Sequence, residues 1–101
     1  MASPAIIRKI KTDLRIRNDQ LDEDISDNID SCVADLALCG IDVDDDRALD
    51  RNIVNAIKLY CRSRYTHDLE EAKLYEQRYG LLKGTLMMSE EYRRAGDDTD
   101  E

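Results

Sequence analysis

Along nearly the whole chain the apolar residues return at steps of three and four, the period of a helix that buries one face. After Ser3-Pro4 the series is Ile7, Ile10 and Leu14, while Arg8, Lys9, Lys11 and Arg15 point elsewhere. Serine is a good helix N-cap and proline is at home at the first helical position, so this pair marks a start. The pattern breaks around Arg17 and Asn18, and Asn18 or Asp19 is the expected cap of a second helix. That helix opens with Asp22, Glu23 and Asp24, the sign of charge that a helix N-terminus prefers. Its stripe is Leu21, Ile25, Ile29, Val33 and Leu36, with Cys32 and Cys39 beside it. Gly40 closes it, because glycine adopts positive φ at little cost. Ile41 and Val43 are expected to fold back onto the core.

A third helix is expected from about Arg47 to Arg64, capped by Asp44, Asp45 or Asp46. Its stripe is Leu49, Ile53, Ile57 and Tyr60, flanked by Ala56 and Cys61. Tyr65-Thr66-His67-Asp68 is a break, with Thr66 or Asp68 as the next cap. The fourth helix runs to about Met87 or Met88 on Ala72, Tyr75, Tyr79, Leu82 and Leu86. Leu74, Leu81, Met87 and Met88 fall off that stripe, which is more apolar surface than one core needs. Gly80 and Gly84 share a face where another backbone could approach, so contact with another chain is expected. Ser89-Glu90-Glu91 reads as a fresh cap before Tyr92, and from Ala95 the sequence AGDDTDE is acidic and without a core-forming side chain. The pattern predicts an all-α fold, a small antiparallel bundle of about four helices with a mobile acidic C-terminal tail. Residues 1–94 form one helical domain in this reading and residues 95–101 a disordered tail.

Composition sharpens the picture in two places. The 101 residues include five Tyr and no Phe or Trp, so the core must be built mainly from Ile, Leu, Val and Ala. The net charge of −8 is unevenly spread: residues 1–17 carry +4, residues 18–50 carry −11, residues 51–94 carry +3 and the tail −4. Such segregation suits a protein that meets copies of itself. Arg8, Lys9, Lys11 and Arg15 of one copy would then face Asp22, Glu23, Asp27 and Asp30 of the next. Tight DNA binding is disfavoured, because a chain this acidic repels phosphates over most of its surface. No apolar run approaches the ~20 residues that cross a bilayer, and basic residues interrupt the N-terminus where a signal peptide would be apolar. The expectation is a soluble, intracellular protein with no membrane partner.

Candidate chemistry is sparse. Asp42, Asp44 and Asp46 have the alternating spacing of a calcium loop, but counting from Asp42 the sixth position is Arg47 and the twelfth Ile53. Such a loop needs Gly and Glu there. Zinc would need Cys32, Cys39, Cys61 and His67, which lack the close Cys pair of a structural site and lie on different helices. An odd number of cysteines reads as buried thiols. His67 has no Ser or Cys in a nucleophile setting beside it, and no Gly-rich phosphate loop is present. No enzyme activity, metal or cofactor is expected.

Three stretches carry a resemblance: LDEDISDNIDSCVADLALCGIDV, then LDRNIVNAIKLYCRSRY, then YEQRYGLLKGTLMMSEEYR. Their order and spacing, over roughly residues 6 to 94, resemble the head–tail connector (adaptor, or head-completion, DNA-packaging) proteins of long-tailed bacteriophages and prophages. The resemblance implies a structural virion protein at the head–tail junction, present in the bacterial host cytoplasm during assembly. It implies a homo-oligomeric ring, dodecameric when assembled, below the portal. That ring would extend the DNA channel, retain packaged DNA that passes without specific binding, and dock the next head-completion, tail or tail-terminator protein. It also implies portal attachment through the closing motif, here Leu86, Met87, Met88, Tyr92, Arg93 and Arg94. Two other readings stand beside it: a host helical adaptor holding a partner helix, and a small DNA-binding regulator acting through the basic residues of the first helix.

Overall fold

The computed structural model of the chain describes residues 2–43 and 50–93. The first helix, α1 (Pro4–Leu14), begins as its sequence requires, with the Ser3 hydroxyl accepting from the Ile6 amide and proline at the first position. It ends where Arg15 takes φ 62°, so that the amides of Arg15 and Ile16 reach back to the carbonyls of Thr12 and Lys11 at 3.2 and 2.9 Å. This closure normally recruits glycine; here an arginine holds the left-handed conformation.

The second helix, α2 (Asp22–Leu38), starts later than expected and without a side-chain cap. Asn18 instead accepts from the Gln20 amide at 2.9 Å, which stabilises a turn and so corrects the expected cap at Asn18 or Asp19. Gly40 follows the helix at φ 81°, the role its position suggested. The third helix, α3 (Arg51–Tyr65), also starts later than the expected Arg47. Its cap is Asp50, whose carboxylate accepts from the amides of Asn52 and Ile53 at 3.0 and 3.4 Å. The expected caps Asp44, Asp45 and Asp46, and Leu49 of the expected stripe, lie outside the described residues. The fourth helix, α4 (Leu69–Met88), is capped by Asp68, which accepts from Glu70 and Glu71. A 3₁₀ turn, Glu90–Tyr92, closes the described chain.

Long-range contacts set the directions. Tyr60 meets Tyr79 edge-on at 5.4 Å, Arg62 lies over the Tyr75 ring and Asn52 reaches Tyr92, so α3 and its C-terminal partner run antiparallel. The Ala2 amide donates to Ser26 and Lys11 pairs with Asp22, which makes α1 antiparallel to α2. All four helices feed one cluster of buried side chains. Its centre is Ile10, Ile25, Leu36, Ile41, Ile53 and Ile57, with the thiols of Cys32 and Cys61 filling gaps. Each fully buried Ile contributes roughly 1.5–3 kcal/mol relative to exposure, so aliphatic residues replace the absent Phe and Trp.

The stripes were mostly legible, with exceptions. Ile7, Leu14, Val33 and Tyr60 are only partly buried, Leu21 is 40% exposed, and Ile6 and Val54 enter the core although they lie off the expected stripes. On α4 only Tyr79 and Leu86 are buried. Gly80 and Gly84 meet no close backbone within the chain: a Cβ at either would touch nothing within 4 Å.

Candidate interaction surfaces

The C-terminal segment is tied down by hydrogen bonds to distant parts of the chain. The Tyr92 hydroxyl donates to Asp50 at 2.7 Å and accepts from the Asn52 amide group at 3.1 Å. The Tyr92 carbonyl accepts from the Asp42 amide at 2.7 Å, and Arg93 forms an isolated antiparallel bridge with Ile41. The Asp50 carboxylate, and then burial, push the Tyr92 phenol above its ordinary pKa. Asp50 therefore caps α3 and anchors the chain end with one carboxylate. Of the closing-motif residues, Tyr92 and Leu86 are buried against the chain itself, 5% and 2% exposed. Of the other closing-motif residues, Met87, Met88 and Arg93 are exposed, and Arg94 lies outside the described residues. Tyr92 follows a helix break and so belongs to no periodic stripe. The only signal for it was an aromatic residue in a chain that has few.

A second surface is the outer side of α4. Leu74, Leu81 and Met88 recur every seven residues and are 41%, 69% and 83% exposed. Gln77 and the open Gly84 lie between them on the same side. A seven-residue step advances two turns, so these residues form one strip, facing away from the Tyr79–Leu86 side that packs on the core. Leu38, at the end of α2, is 86% exposed.

The charged residues divide into those engaged within the chain and those left outward. Lys11 pairs with Asp22 at 2.7 Å and Asp19 at 2.9 Å, which raise its pKa in that order. Lys11 and Asp22 were expected to face other copies; they are partners within one chain, because the turn at Asn18 brings α2 back beside α1. Arg8, Lys9, Arg15, Glu23 and Asp27 are exposed, and Asp30 is half-buried.

Three tyrosine- and arginine-centred networks escaped the sequence reading. Tyr79 donates to Asp35 at 2.6 Å and Lys83 donates to the same oxygen at 2.9 Å, with its ammonium 5.2 Å from the Tyr79 ring centre. Tyr79, then Lys83, hold the Asp35 carboxyl below its usual range. Arg62 grips Asp13 through two nitrogens at 2.8 and 2.6 Å. Tyr65 donates to Asp24 and accepts from Asn28. Each pairs residues far apart in sequence, which no local pattern encodes.

Burial pushes the thiols of Cys32 and Cys61 up to about 12, so neither is a thiolate near neutral pH. Among the described residues no group of three or more His, Cys, Asp or Glu side chains is placed to hold a metal ion. No described helix is long and apolar enough to cross a membrane.

These features define a small helical bundle with one apolar outward face and others that are charged. A family model described as "Phage connector protein" matches residues 6–93, and the chain belongs to that family. Its role is structural, at the junction between the head and the tail of a phage particle. Comparison with curated proteins and with solved structures gives no match.

Proposed function

We propose that copies of this protein form a ring below the portal, extend its DNA channel, help to retain packaged DNA and dock the next head-completion or tail protein. The observation that carries this reading is the strip Leu74–Leu81–Met88, apolar and outward on a helix already anchored by its other side. Apolar strips of this kind are costly to leave in water and mark contact with another chain. Portal attachment then falls to the exposed part of the closing motif, Met87, Met88 and Arg93, while Leu86 and Tyr92 hold that segment in shape. DNA passes as a transient neighbour, since an acidic protein offers its phosphates few cations.

The test is mass by light scattering of the purified protein, alone and mixed with portal, for wild type, Leu81→Glu and Met88→Glu. Removing everything after Thr85 is a poorer probe, because it deletes the core residues Leu86 and Tyr92. Expected is a large species with wild type and its loss in one or both variants, with folding unchanged by circular dichroism. A wild type that stays small and ignores the portal would sink the proposal.

A further inference from the structure

The charged residues left outward after intrachain pairing are gathered in two places. An open groove of about 610 Å³ runs between α1 and α3, lined by Arg8, Lys9, Thr12, Asp13, Arg15, Lys58 and Arg62. The Asp13 carboxylate is engaged by Arg62, at 2.6 Å. Arg8, Lys9, Arg15 and Lys58 are therefore four cations with no ion-pair partner among the described residues. In a chain of net charge −8 a groove this basic is an exception that random placement does not favour.

The complement is on α2. Its core stripe is Ile25, Ile29, Cys32 and Leu36, and the opposite face, by helical geometry, carries Glu23, Asp27, Ala34 and Leu38, all exposed. Glu23 and Asp27, one turn apart, also have no ion-pair partner among the described residues. No Lys or Arg interrupts α2, whereas the acids of α4 are interspersed with Lys73, Arg78 and Lys83. No residue of α2 lines the basic groove, although Arg8 and Glu23 also line a neighbouring depression between α1 and α2.

The geometry points to the occupant of the α1–α3 groove as the outer face of α2 from a second copy of this chain, with Glu23 and Asp27 set among Arg8, Lys9, Arg15 and Lys58. This rests on the self-association proposed above and names the surfaces that make it. Where each copy offers its groove to one neighbour and its α2 face to another, the contact is head-to-tail, the type that propagates from copy to copy and closes into a ring when the rotation allows. Lys58 on α3 enters the interface, and Lys11 and Asp22, engaged with each other, leave it.

The experiment uses two full-length variants, Arg8→Glu/Lys9→Glu/Lys58→Glu and Glu23→Lys/Asp27→Lys, with sedimentation velocity at about 50 mM and about 500 mM NaCl, where surface charge is weakly and strongly screened. All five side chains lie outside the buried cluster, and thermal melting checks that each variant folds. Expected is self-association of wild type that weakens with salt, and roughly tenfold or greater loss of association in each variant alone. Mixing the two variants restores assembly, because each interface then joins a reversed groove to a reversed α2 face or a native groove to a native one. Wild type that assembles while both variants assemble equally overturns this pairing and leaves the ring intact. Wild type that is monomeric at every concentration, with and without portal, overturns the ring and the pairing together. Normal assembly of the groove variant with lost affinity for duplex DNA assigns the groove to phosphates and overturns the pairing.

Discussion

The first and last helices bury different fractions of their apolar residues. In α1 the apolar side chains turn inward: Ile6 and Ile10 are buried, and Ile7 and Leu14 pack against the core. Its polar face is basic and outward, so one stripe accounts for its place in the monomer. The longer α4 buries only Tyr79 and Leu86 and exposes Leu69, Leu74, Leu81, Met87 and Met88. A helix apolar on two sides satisfies only one of them within its own chain. The first helix is thus explained by folding, and the outer side of the last is what the proposed self-association would cover.

The widest separation between these helices is expected from truncating one residue on each. Ile10→Ala, at a fully buried site, should lower stability by about 2–4 kcal/mol in urea denaturation, through lost burial and the cavity left behind. Leu81→Ala should change it by no more than about 0.5 kcal/mol while weakening association in the same preparation. Equal destabilisation by the two would mean that the α4 strip belongs to the monomer after all.

A smaller effect tests how α4 is held at its far end. Tyr92→Phe keeps the ring and removes the hydrogen bonds to Asp50 and Asn52, for an expected loss of about 1–2 kcal/mol. Amide hydrogen exchange should rise at Asp42, whose N–H bonds the Tyr92 carbonyl, and at the start of α3. Unchanged protection there would show that the chain end is not anchored through Asp50.

Acid pH probes the polar link between α2 and α4. Asp35 is held below its usual range by Tyr79 and Lys83, so it binds protons less readily folded than unfolded. Its contribution is present above the ordinary carboxylate pKa and is lost as pH falls through the depressed folded value. The melting temperature of Asp35→Asn should therefore fall less steeply than that of wild type below about pH 4. Parallel acid arms would remove Asp35 from the account.

The smallest expected effect has the opposite sign. Arg15 holds φ 62° at the end of α1, where a side chain is strained, so Arg15→Gly should stabilise the fold by about 0.5–1 kcal/mol. A lower melting temperature would show that the arginine side chain offsets the strain. Arg15 also lines the basic groove, so the same substitution should weaken association even as the fold gains stability.

How far the chain could be read ahead of its structure follows the reach of each interaction. The Ser3-Pro4 start, the Asp68 cap, Gly40 and the Ile25–Ile29–Leu36 stripe depend on neighbours within a turn or two, and local periodicity reports them directly. Family membership was legible for a related reason, being carried by the order and spacing of whole segments. The late starts of α2 and α3 were missed because several adjacent Asn and Asp residues can each cap, and the choice among them is made by packing. The polar contacts were decided only by the tertiary structure. Tyr92 with Asp50, Tyr79 with Asp35 and Arg62 with Asp13 join positions more than forty residues apart in the chain. Such pairs exist only once helices are set side by side. Packing also determined which charges were left over, separating Lys11 and Asp22, neutralised by each other, from Arg8, Lys9, Lys58, Glu23 and Asp27, which have no ion-pair partner among the described residues.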